Sequence, residues 1–98
     1  MLTGKQRSYL KSIAHSIKPI TQIGKNGISE SLVEELNLAL EARELIKISL
    51  LETSLLTAQE AAEETSKLLN AEFVQAIGNK FTIYRKSSKN PKIELPKS

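Results

Sequence analysis

The sequence predicts a small α/β layered domain in the order α-β-α-β-α-β-β, carrying a four-stranded mixed sheet. Three observations lead there. Three stretches carry apolar residues at helical spacing, two of them opened by a capping box. Short β-branched runs lie between and after them. The last regular unit contains Gly78-Asn79, the signature of a two-residue hairpin turn. A chain of 98 residues fits a single domain with one modest core.

Thr3 and Gln6 have capping-box spacing, and Leu10, Ile13, Ala14 and Ile17 then share one helical face. Pro19 ends this helix and biases Lys18 toward extended backbone. Arg7, Lys11 and His15, four apart, form a row beside the apolar stripe. Pro19 to Ile23 reads as a short strand, followed by a tight loop over 24–27. The second helix runs from near Ser29 to about Arg43. It buries Leu32, Val33, Leu36, Ala39 and Leu40, with Glu30, Glu34 and Glu35 toward the positive end of its dipole. Leu45 to Leu51 alternates: Ile46, Ile48 and Leu50 face inward, Lys47 and Ser49 a wetter side. Thr57 with Glu60 opens a third helix to about Leu69, with Ala58, Ala61, Ala62, Thr65, Leu68 and Leu69 inward.

The hairpin joins Glu72–Ile77 to Lys80–Arg85. A two-residue turn pairs Val74 with Ile83 and Ala76 with Phe81 on the core side, Glu72 with Arg85 and Phe73 with Tyr84. Thr82 then falls on the other face. Right-handed crossovers make the first three strands parallel, and the hairpin adds an antiparallel one. Residues 1–85 form the expected domain. Residues 86–98, with two prolines, four lysines and little apolar content, read as a mobile basic tail.

Composition excludes several classes. No cysteine is present, which removes disulfide scaffolds, thiolate zinc sites and a Cys nucleophile, and fits a cytoplasmic home. No apolar run is long enough to span a membrane, and no hydrophobic signal region follows the start. Aromatics make up only 4%, so recognition by stacking bases on a sheet of several aromatics is not expected.

The net charge of +3 hides a segregation. Residues 1–28 hold five basic residues and no acid, residues 29–79 ten glutamates against Arg43, Lys47 and Lys67, and residues 80–98 six basic residues against Glu94. One basic and one acidic face are the expected result, and a basic face attracts phosphate backbones.

The loop Gly24-Lys25-Asn26-Gly27 is the most informative motif. Two glycines three apart permit a sharp turn and close approach of another backbone. The loop feeds the start of a helix, whose unpaired N–H groups favour an anion, and Lys25 adds charge at the tip. A G-x-x-G clamp on single-stranded RNA has these parts, although the same spacing also serves as a plain turn. The run lacks the Gly-Lys-Ser/Thr ending of a P-loop and the third glycine of a dinucleotide fingerprint. His15 is the lone histidine, so His-based metal sites and two-His mechanisms are excluded, and the glutamates fall on solvated helix faces. No catalytic residue, cofactor or metal is expected.

Three motifs carry a family resemblance: 16–29 (SIKPITQIGKNGIS), 39–48 (ALEARELIKI) and 77–85 (IGNKFTIYR). In this order they resemble the CRM domain (chloroplast RNA splicing and ribosome maturation), and the chain has the size of its stand-alone bacterial, YhbY-like RNA-binding members. The likeness covers nearly all of 2–85. Ile48-Ser49 departs from a more usual Val-Lys, and the lysine-rich tail is not a hallmark of the family. The resemblance implies a fold similar to the C-terminal domain of translation initiation factor three. It further implies RNA binding through the G-x-x-G loop and association with precursors of the large ribosomal subunit.

The sequence-level expectation is therefore a non-catalytic, monomeric, cytoplasmic RNA-binding protein that assists rRNA maturation. Gly24, Lys25, Asn26 and Gly27 would contact phosphates, Arg7, Lys11 and Lys18 would extend the track, and Lys47 and Arg85 would add contacts at the sheet. The alternatives are a protein-interaction adaptor using the acidic helices and a small nucleotide-binding enzyme using the Gly-Lys loop.

Overall fold

The computed structural model describes residues 2–97; Met1 and Ser98, the outer limits of the expected domain and tail, lie outside the described residues. The elements are α1 (Gly4–Ala14), β1 (Thr21–Ile23), α2 (Glu30–Arg43), β2 (Leu45–Leu50), α3 (Ala58–Leu69), β3 (Glu72–Ile77) and β4 (Lys80–Tyr84). The expected order holds throughout. Local chemistry explains why. The Thr3 hydroxyl accepts from the Gln6 amide and the Gln6 side chain accepts from the Thr3 amide, each at 3.1 Å. Thr57 and Glu60 repeat this box at α3, and Ser29 caps α2 by accepting from the Leu32 amide at 3.2 Å.

The four strands run in the order β1-β2-β4-β3, with β1 parallel to β2 and β4 antiparallel to both its neighbours. The mixed sheet is thus as expected, with β4 in an interior place. α2 and α3 cover one face over Ile23, Ile46, Ile48, Phe81 and Ile83, where Ala61 and Ala62 allow close approach. α1 lies on the other face, with Leu10 and Ala14 against Leu45, Val74 and Tyr84. Burying both faces is what fixes the layered architecture.

The hairpin differs from its simple register. Ala76 pairs with Phe81 as expected, but a bulge between Phe73 and Gln75 shifts the far end, so Phe73 pairs with Ile83 and Glu72 with Tyr84. The extra residue is Val74, which joins the α1-side core and does not face Ile83. Thr82, expected on a wet face, is 1% exposed: on the interior strand it stands between the longer side chains of Lys47 and Gln75 on the same face. Leu68, expected inward, is 56% exposed near the end of α3.

The largest difference lies after Arg85. The segment 86–97 has no regular secondary structure, yet it is strapped to the domain rather than loose. The buried Glu44 carboxylate accepts the backbone amides of Ser87 at 2.8 Å, Lys92 at 2.6 Å and Ile93 at 2.7 Å. Glu41 accepts from the Ser88 amide and hydroxyl, and Ile93 and Leu95 pack on the α1-side core. Burial alone would raise the Glu44 pKa, but these three amides and the Lys86 charge outweigh it, leaving it below the ordinary 4.5. The hydroxyl bond from Ser88 likewise lowers Glu41, against a smaller effect of desolvation. Burial first, then the Glu44 charge, raises Tyr84.

Phe81→Ala should cost about 3–5 kcal/mol. Thr82→Ala should exceed the roughly 0.5 kcal/mol typical of exposed sites, both measured by urea unfolding. Glu44→Gln should lose roughly 1.5–3 kcal/mol at neutral pH, as expected for hydrogen bonds to a charged group. Because the folded pKa is depressed, this stability is present above the unfolded value of 4.5 and drains away as pH falls through the lower folded value. Urea midpoints across that acid range should therefore fall steeply for the wild type and less for the variant. Removing 86–98 should lower the midpoint as well, since it strands a buried carboxylate.

Candidate functional site

β1 and α2 hold the loop 24–27 between them. The Gly27 amide donates to the Gly24 carbonyl at 3.1 Å, closing the turn, and Gly27 sits at φ +68°. The two glycines serve different needs. A Cβ at Gly27 would meet nothing within 4 Å, so its requirement is conformational; one at Gly24 would lie 3.3 Å from Leu51 Cδ1, so its requirement is space. Lys25 and Asn26 stand exposed at the tip.

The loop forms one wall of a groove with Thr21, Gln22, Ser29, Glu35 and Thr53. The start of α2 opens into it. Ser29 satisfies the Leu32 and Val33 amides, while among the described residues the amides of Glu30 and Ser31 have no acceptor. Ser29 and Ser31 at the start of α2, its positive dipole end and Lys25 therefore border one concavity, a geometry that suits an anion such as a phosphate. Glu35 makes one wall acidic, so an anion is best held on the Lys25 side.

The other expected site residues separate into three groups. Lys18 and Lys47 share a second groove with Arg43, Pro19 and Ile20. Arg7 and Lys11 lie beside β3, at the opposite edge of the sheet from β1, and Arg7 Nε donates to the Phe73 carbonyl at 3.3 Å. Arg85 is not brought to any of these. Its guanidinium donates to the Leu69 carbonyl at 2.9 Å and the Asn37 carbonyl at 3.2 Å, and it pairs with Glu41 at 3.5 Å. It closes the end of α3 against α2, so its charge is spent inside the fold.

A third groove was not expected from the sequence. It is lined by Lys18, Thr21, Gln22, Ser49, Asn79 and Lys80 and joins the loop groove at Thr21-Gln22. Its residues come from the segment before β1 and from β1, β2, the hairpin turn and β4, which the sheet's register brings together. Among the described residues, no group of three or more His, Asp or Glu side chains is arranged to hold a metal, and no helix is long and apolar enough to cross a membrane.

The family model for the CRS1 / YhbY (CRM) domain matches residues 2–85. The chain is 44% identical over 96 residues to the Bacillus subtilis protein named "Probable RNA-binding protein YqeI", covering 98% of this chain and 100% of the relative. It is 34% identical over 96 residues to a Haemophilus influenzae protein named "RNA-binding protein", covering 98% and 96%. It also superposes on the solution structure of the hypothetical protein SAV1595 from Staphylococcus aureus with a TM-score of 0.81 at 49% identity, covering 98% of this chain and 100% of that one.

The loop geometry predicts unequal glycine sensitivities. Gly27→Ala should cost roughly 1–2 kcal/mol, the penalty of a side chain in left-handed backbone. Gly24→Ala should cost less, because its Cβ meets only the flexible ends of Leu51 and Thr53. Urea unfolding of both variants checks the order, and the reverse order would mean the loop turns differently.

Proposed function

Because this chain belongs to the CRS1 / YhbY (CRM) domain family, we propose that it is a non-catalytic RNA-binding protein that associates with precursors of the large ribosomal subunit and assists rRNA maturation. The observation that carries the RNA reading is the convergence of Lys25, the loop backbone and the open amides of α2 on one exposed groove. The names of the relatives at 44% and 34% identity support RNA as the ligand class. The ribosomal target rests on the resemblance of the three motifs. The protein is taken to act as a cytoplasmic monomer.

In this reading Gly24 and Gly27 shape the loop so that a phosphodiester can sit against its backbone. The Ser31 amide at the start of α2 donates to a phosphate oxygen, and Lys25 neutralises the charge. Asn26 adds a donor at the tip. Lys18 and Lys47 continue the basic track, whereas Arg7 and Lys11 form a separate basic edge beside β3. Arg85 is left out of the binding set, because its donors are occupied within the domain. Binding with orientation is the whole of the chemistry assigned to the groove.

The test is a Lys25→Asp, Asn26→Asp double variant, which keeps both glycines and puts two negative charges in the phosphate path. Its stability should change by less than about 0.5 kcal/mol, as at other exposed loop positions. Its RNA affinity should fall by more than about tenfold, equivalent to roughly 1.4 kcal/mol. Lys25→Ala alone should weaken binding less and flatten the plot of log affinity against log salt by about 0.7, the share of one counterion on a single strand. A folded double variant with unchanged affinity would remove this loop from the site.

A further inference from the structure

We propose that the loop groove is one end of a longer RNA site, which turns round the edge strand β1 and continues onto the half of the sheet face that α1 leaves uncovered. The inference rests on the RNA reading above and extends it. The register sets Gln22, Ser49, Lys80 and Ile77 directly opposite one another, so their side chains rise from one face in a row across all four strands. With strands about 4.8 Å apart, the row is roughly 14 Å wide. The next row toward α1 is Lys47, Thr82 and Gln75. Beyond it Leu45 and Tyr84 are buried beneath α1. One face therefore grades from apolar under the helix to polar and cationic at the end where the loop stands.

The grooves make this path continuous. The one holding Gln22, Ser49, Asn79 and Lys80 shares Thr21 and Gln22 with the loop groove, and Lys18, Pro19 and Ile20 with the groove of Arg43 and Lys47. Neither of these two extensions has an acidic residue in its lining. Lys18 and Lys80 are exposed and Lys47 is half-buried, and among the described residues none of the three is paired with a carboxylate. The Asn79 amide donates to the Leu50 carbonyl at 3.0 Å, which fixes the turn and holds its oxygen 3.4 Å from Lys80 Nζ.

The chemistry of the row selects the ligand. It has no aromatic side chain on which a base would stack, and beside the exposed Ile77 it offers the ammonium groups of Lys80 and Lys47 and the amides of Gln22 and Gln75. These suit phosphates and ribose hydroxyls, so this extension reads backbone rather than sequence. A path that bends round a strand edge fits a flexible single strand, not a stiff duplex.

The experiment compares random-sequence single-stranded RNA pools of two lengths on the full chain. A pool of about four nucleotides, the span of a G-x-x-G clamp, is filled by the loop alone, whereas one of about twelve reaches the sheet. Lys47→Glu, Lys80→Glu should weaken the longer pool by about tenfold or more and the shorter by less than about twofold, with the fold confirmed by amide spectra. The Lys25→Asp, Asn26→Asp variant should weaken both. The milder Lys47→Ala, Lys80→Ala variant should lower the salt slope for the longer pool by about 1.4, two contacts' worth, and it keeps the test decisive if the reversed charges disturb the fold. Unchanged affinity and slope for the longer pool, or equal losses at both lengths, would overturn the extension and leave the loop site standing. A wild type that binds neither pool at low salt would overturn the RNA reading and this one together. Displacement of the longer pool by a polyglutamate peptide at comparable concentration would reassign the sheet face to an acidic protein segment.

Discussion

The Glu44 carboxylate ties the helices, the sheet and the C-terminal strap into one body. Its residue stands between the end of α2 and the start of β2 at φ +68°, a conformation that L side chains resist. A glycine would take this backbone more easily, but it would bring no carboxylate. The amide of Glu44 donates to the Leu40 carbonyl at 2.8 Å, its carbonyl accepts from the Arg85 amide at 2.9 Å, and its side chain accepts three strap amides. One residue thus fixes the helix end, the exit of β4 and the path of residues 87–93. A buried charge persists only when its hydrogen bonds are made, so strap and carboxylate require each other.

That tie sits at one end of the sheet. Leu45 and Tyr84 mark the end held by Glu44, whereas Ser49 and Lys80 mark the end beside the loop. At that end α1 and the strap pack on the second core. The loop end carries fewer internal obligations, and its cations are correspondingly available. The case of Arg85 shows the contrast: placed next to Glu44, its guanidinium closes helix ends and pairs with Glu41.

What could be read in the sequence was what local chemistry determines. The caps at Thr3 and Thr57, the stripe of α2 and the Gly78-Asn79 turn are each written within a few residues and appear where expected, whereas α1 stops at Ala14, with Ile17 outside the helix and short of Pro19. The interior place of β4 was not legible, because β2 and β4 pair across more than thirty residues and nothing local names that partner. The Val74 bulge has no turn residue to announce it. The strap was not legible, because its lysines and prolines have the composition of a tail while its anchor lies 43 residues upstream of Ser87. In the site, Gly24, Lys25 and Gly27 were visible as a motif. Gln22, Ser49 and Lys80 were not, since only the register makes them neighbours, and the charge of Arg85 counted as available although the fold consumes it.

The sheet also explains how a chain of net charge +3 can present a strongly basic face. Glutamates 30, 34, 35, 60, 63 and 64 all lie exposed on α2 and α3, behind one face of the sheet. Packed layers are about 10 Å apart. The Debye length at physiological salt is about 8 Å. Across that separation the acidic layer is largely screened from Lys18, Lys47 and Lys80, so a phosphate on the α1 side feels the local cations more than the total. At low salt the screening weakens and the acidic helices oppose binding from behind, which partly offsets the gain that low salt brings to the cations themselves. The two signs also meet in the loop groove, whose lining holds both Glu35 and Lys25. On the RNA reading this juxtaposition gives the site a direction. The strand is held at the start of α2, repelled by Glu35 further along that helix and attracted along β1, toward the face where no carboxylate lines the path.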